Sequence, residues 1–117
     1  MLYICNSFSL AMLPAWRLTN VEVPSTLVVQ PVVDPVDALE MAELHGHKVM
    51  SAVGHADTAA VLSSVLERNV TCHRMTVTME PGDILLVGQL TGPRLAEGAT
   101  TLPVGAVINW LMVSIAD

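Results

Sequence analysis

The residues best suited to chemistry begin with Gly54 and His55, a glycine and a histidine set immediately before a helix start. The first amides of a helix lack intrahelical acceptors and carry partial positive charge, so they form a natural seat for phosphate. Glycine lets a ligand approach the backbone closely, and a histidine beside that seat gives or takes a proton near neutral pH. Downstream, Gly92-Pro93-Arg94-Leu95-Ala96-Glu97-Gly98 offers a planar guanidinium fork for phosphate oxygens at Arg94. Glu97 in the same stretch can orient a hydroxyl or hold His55 in one tautomer. Asn6, Ser7 and Ser9 supply amide and hydroxyl groups for sugar or phosphate, and Arg74 interrupts a stretch that is otherwise apolar or threonine. Each feature also has an ordinary structural use. His55 can simply open the helix, Arg94 and Glu97 can pair in a surface turn, residues 6–9 can be turn formers, and Arg74 can extend into water.

Other chemistries find less support. His45-Gly46-His47 resembles a fragment of a metal site that His55 or His73 would complete, but no thiolate or carboxylate cluster stands at ligand spacing. Neither a metal nor another cofactor is expected. Phosphate-loop, dinucleotide-binding and serine-nucleophile patterns are absent. Cys5 and Cys72 fall in apparent strands without a C-x-x-C partner and read as buried free thiols.

The elements that must position these residues follow from composition and pattern. The chain has 117 residues, 52% of them hydrophobic and 14% charged, which suits one folded domain with one core. Its net charge is −6, with cations only at Arg17, Lys48, Arg68, Arg74 and Arg94, and its aromatics are Tyr3, Phe8, Trp16 and Trp110. Long nucleic acid, which needs many phosphate contacts or a stacking platform, is therefore not an expected partner. The longest apolar run, 102–116, is broken by Gly105 and Asn109 and falls short of the roughly 20 residues of a membrane helix. The first cation is Arg17, so no basic leader is read and a cytoplasmic location is expected.

Residues 2–5 read as a strand running into a polar turn, 9–13 as one helical turn stopped by Pro14, and 26–33 as a strand whose Pro31 puts it near an edge. Asp34-Pro35 opens a helix that Gly46 closes, and a second helix runs from about His55 to Arg68. Residues 71–79 read as a strand, joined through Glu80-Pro81-Gly82-Asp83 to a returning strand over 84–90 as a hairpin. A Gly, Pro and Thr-rich loop then leads to a central strand over 107–115. The expected fold is α/β or α+β: a mixed sheet of about five strands with flanking helices, in a single domain over residues 1–117.

Three segments then point to a family. Leu2 to Leu13, Ser51 to Thr58 and Gln89 to Gly98 occur in an order and at spacings that resemble the viral-type ring nucleases, the type III anti-CRISPR enzymes and their CRISPR-associated cellular relatives. The resemblance spans nearly the whole chain. It implies a homodimer that opens cyclic tetraadenylate, the messenger with which type III CRISPR systems activate their effector nucleases. By position it places His55 on the catalytic histidine and Glu97 on the assisting glutamate. Arg94 and Arg74 fall on phosphate-binding arginines, Asn6 and Ser9 on ligand contacts, and Gln89 on a further contact. Against the family pattern, Gly92-Pro93 lengthens the loop before Arg94, and the chain after Gly98 moves almost directly to its last strand. The implied chemistry is metal-free attack by the ribose 2′-hydroxyl, giving linear diadenylates that end in 2′,3′-cyclic phosphate. Two other readings stay open: a sponge or sensor that holds the ring uncut, and a regulatory or structural dimer with no nucleotide ligand.

Overall fold

The computed structural model describes residues 1–116. A five-stranded sheet is built from β1 (Leu2–Cys5), β2 (Leu27–Pro31), β3 (Val49–Ser51), β4 (Ile84–Thr91) and β5 (Val107–Ile115), in the spatial order β2-β5-β4-β1-β3. β1 pairs in parallel with both β3 and β4, whereas β5 runs antiparallel to β4 and to β2. The sheet is mixed, as expected, and three helices accompany it: α1 (Ala15–Thr19), α2 (Pro35–Leu44) and α3 (Ala56–Leu66). Among the described residues, no helix is long and apolar enough to cross a membrane.

The local causes are visible at the helix ends. Asp34 caps α2 by accepting the Asp37 N–H at 3.1 Å, and Pro35 occupies the first turn, where its missing N–H costs nothing. α3 ends where Glu67 takes a left-handed conformation (φ 56), one residue before the expected end at Arg68. Both helices bury their apolar stripes on one face of the sheet. Leu39 and Ala42 from α2, and Ala59, Leu62 and Leu66 from α3, pack with Leu2, Ile4 and Leu86. Each large aliphatic side chain buried there contributes about 1.5–3 kcal/mol.

The opposite face corrects the sequence reading. Residues 71–79 form no strand, and there is no hairpin with β4. The segment instead follows the outer edge of β3, where His73 donates its N–H to the Val53 carbonyl at 2.7 Å. It then crosses the second sheet face in extended form and ends with the Met79 N–H on the Met12 carbonyl at 2.7 Å. Met75, Val77 and Met79 point inward against Cys5, Leu85, Val87 and Val113, while Thr76 and Thr78 point out. The alternation that reads as a strand is real, but it serves face coverage and not a ladder. Cys72 lies on this segment and is exposed, so only Cys5 is a buried thiol; both are free. Two elements were not anticipated, the five-residue α1 and the three-residue β3.

Candidate functional site

β3, β1 and β4 lie side by side and run the same way, so their carboxyl ends share one rim. The three segments that leave this rim hold most of the candidate residues: Asn6, Ser7 and Ser9 after β1, Gly54 and His55 after β3, and Arg94 and Glu97 after β4. In open, largely parallel sheets the crevice beyond the carboxyl ends is where ligands bind.

The turn from β3 into α3 is firmly built. The Ser51 hydroxyl donates to the Thr71 carbonyl at 2.6 Å and accepts the Val53 N–H at 3.2 Å. His73 adds its backbone bond to Val53, and its Nδ1 lies 2.9 Å from the Ser51 carbonyl. Val53 is wholly buried, so the backbone leaving it has little freedom. At Gly54 the Arg74 side chain lies across the main chain; a methyl group there would stand 3.5 Å from Arg74 Nε. His55 takes the cap position of α3 in extended conformation (φ −122, ψ 131). Its carbonyl accepts the Ala59 N–H at 2.9 Å, but its side chain makes no capping bond and is exposed at the rim. The ring therefore does not serve as the cap.

Facing this turn is the loop between β4 and β5. Gly92 sits at φ +105, and a Cβ there would come within 2.8 Å of the Gly105 carbonyl oxygen, so only glycine fits. A cavity of about 510 Å³ opens between His55, Asp57 and Thr58 on α3 and Gly92, Pro93 and Arg94 on the loop. His55 and Arg94, 39 positions apart in sequence (94 − 55), line the same space. The loop is tied to α3 by the Gly98 N–H, which donates to Asp57 Oδ1 at 3.1 Å.

The other candidates are placed as follows. Ser9 caps the short 3-10 turn at Leu10–Met12, its Oγ accepting the Ala11 N–H at 3.2 Å. Asn6 is half-buried and Ser7 exposed at the end of β1. Glu97 is exposed on the loop and does not line the cavity. Gln89 projects from β4 on the face away from α3 and is exposed. Of the other arginines, Arg17 is buried and donates Nη1 to Ser25 Oγ at 3.1 Å, and Arg68 pairs with Glu43. His45 and His47 line a separate cavity with Met41 and Met112, apart from His55 and His73. Among the described residues, no three His, Cys, Asp or Glu side chains gather as a metal site. Asp57 was not singled out from sequence, and His73 was named there only as a residue that would complete a metal site. Asp57 sits where a helix start favours any carboxylate, and His73 gives no sign of its brace before the path of residues 71–79 is known.

The architecture is that of a small α+β domain with a crevice at the carboxyl rim of parallel strands. Residues 2–103 match the model of the STIV B116-like family, and the chain belongs to that family. It is similar in structure to B116 of Sulfolobus turreted icosahedral virus, with 21% identity, 97% of each chain covered and a TM-score of 0.71. At that identity the likeness is one of fold. No curated protein sequence matches the chain.

Proposed function

We propose that the protein is a metal-independent ring nuclease acting on cyclic tetraadenylate. The observation that carries this reading is the shared cavity of His55 and Arg94, with Arg74 lying across Gly54, the residue before His55. RNA supplies its own nucleophile, so the protein's first task is to hold a ribose 2′-hydroxyl in line with the departing 5′-oxygen. The 2′-oxygen bonds to phosphorus as the bond to the 5′-oxygen breaks. Protonated His55 gives its proton to that leaving oxygen, and the hydroxyl proton passes to solvent. Arg94, Arg74 and the first amides of α3 stabilise charge on the phosphoryl oxygens. Glu97, on the adjoining loop, orients His55 or the nucleophile. Asn6, Ser7, Ser9 and Gln89 provide contacts to the ring.

The proposal includes a homodimer. On the sheet face away from α3, Val29 and Val107 are 54% and 55% exposed, and Gln89 stands on this same face. A second copy laid there covers the apolar strip, and a two-fold axis gives a ring of four identical nucleotides two equivalent sites. Four arginines, Arg74 and Arg94 from each copy, then oppose the chain's net charge of −6 around a tetra-anion. Light scattering of the protein and of Val29→Glu tests this part: the parent is expected as a dimer and the variant as a monomer. A monomeric parent that still cuts removes the dimer from the proposal.

Incubation with cyclic tetraadenylate in EDTA, followed by separation of products, tests the activity. Linear diadenylates with 2′,3′-cyclic phosphate are expected, and persistence of the intact ring overturns the enzyme reading. A sponge is the second reading, favoured by the place of Glu97 outside the cavity lining. Its mark is one-to-one binding without turnover. For a viral protein the activity silences a host defence; for a cellular one it resets that defence.

A further inference from the structure

We infer that Asp57 is a positioning residue that locks the β4–β5 loop over His55. The inference rests on the proposed ring-opening reaction for its catalytic meaning, but on the hydrogen bond itself for its physical content. Asp57 lies two residues after His55, in the first turn of α3, and its Oδ1 accepts the Gly98 N–H at 3.1 Å. Gly98 is the third residue of a turn closed by the Ala99 N–H on the Ala96 carbonyl at 3.0 Å. That turn requires a positive φ at its third position, and Gly98 has φ +75. Glu97 is the residue before it, at the tip. One carboxylate thus connects the helix that presents His55 to the turn that presents Glu97.

The other end of the arc is also fixed, because Gly92 packs against the backbone of Gly105 and Ala106. Residues 93–97, which include Arg94 and Glu97, span two anchored points. Without the Asp57 bond, the arc loses the hydrogen bond that ties it to α3. Arg94 then loses its place opposite His55, and Glu97 loses its angle to the ring. Misplacement of about 1 Å costs a positioned reaction up to about a hundredfold. The same side chain lies on the cavity wall, so its charge faces any anion that enters.

Two variants separate the hydrogen bond from the charge. Asp57→Asn and Asp57→Ala both lose the negative charge at the start of α3, and with it the same interaction with the helix dipole. Only Asp57→Asn keeps an acceptor oxygen for Gly98. The protein and both variants are compared by single-residue amide hydrogen exchange and by kinetics on cyclic tetraadenylate. Protection of the Gly98 amide is expected in the parent and in Asp57→Asn, and its loss in Asp57→Ala. The kcat of Asp57→Ala is expected to fall about tenfold to a hundredfold with a smaller change in KM. That of Asp57→Asn should stay within about threefold of the parent, with a lower KM because the repelling charge is gone. Equal Gly98 exchange in all three proteins, or equal kcat losses in both variants, overturns the inference. If the parent does not cut the ring, the ring-nuclease reading fails, and the lock is decided by Gly98 exchange alone.

Discussion

On the α3 side of the cavity, the backbone entering His55 is held by Ser51, His73 and the buried Val53. On the facing side, the loop that carries Arg94 and Glu97 has exposed residues at most positions and reaches α3 through the Asp57–Gly98 bond. One wall is part of the fold, and the other is fastened to it. The division suits the proposed chemistry. A proton donor must stand still relative to the reacting bond, whereas groups that grip the ligand must let it enter and leave. Segments that move in function come from the parts of a protein with few buried contacts.

The contrast can be broken by experiment, beginning with the largest expected effect. His55→Ala should lower turnover at least about a hundredfold while leaving ring binding intact, because general acid help is lost and the phosphate seat is kept. His47→Ala, in its separate cavity, should change little; equal loss in both would move the site elsewhere. Ser51→Ala removes the partner of the Val53 N–H and of the Thr71 carbonyl in the firm wall, and should cost about 1–3 kcal/mol in denaturant unfolding.

Alkaline pH should produce a loss of similar size from within the core. Burial pushes the Cys5 thiol up from 9.0 to about 11. Burial, joined by the Asp83 and Glu80 charges, raises the Tyr3 phenol as well. A folded state that holds its proton more tightly keeps full stability below pH 9 and loses it as the pH rises to about 11. For Cys5 the loss is on the order of 2 kcal/mol. Stability measured across that window should fall steadily, and a flat profile would contradict the burial of these groups.

Gly92→Ala strains the fastened wall, at a cost of about 1 kcal/mol or more. It should lower ring cutting and Gly98 protection more than the melting temperature, since the sheet does not depend on that arc. The smallest effect separates the two thiols. At pH 8 an alkylating reagent should modify the exposed Cys72 with no change in melting temperature, while Cys5 reacts only on unfolding. Equal rates would show that Cys5 is reachable.

Much of the fold was legible because it rests on local rules. Asp34-Pro35 announces α2 through a cap and a fixed φ, and the apolar runs of β1, β4 and β5 need no long-range partner to be read. The failures have long-range causes. Met75, Val77 and Met79 alternate as a strand does, yet whether an extended segment joins a ladder or crosses a face depends on which neighbours present free edges. Val49-Met50-Ser51 is too short for periodicity to show. The meeting of His55 with Arg94 was legible as a pair of motifs. The Asp57–Gly98 bond spans 41 positions (98 − 57) and depends on a turn geometry that no local pattern encodes.

The antiparallel pairing of β4 with β5 sets Thr91 opposite Val107, so the chain leaves the sheet and re-enters it at the same rim. Residues can therefore be inserted or deleted within 93–104 without shifting the register of either strand. The arc can be lengthened or trimmed while His55 and the core beneath it stay as they are. The loop is the part of this domain that accepts a change of length, whereas the α3 turn, held by Ser51, His73 and Val53, accepts only a change of side chain.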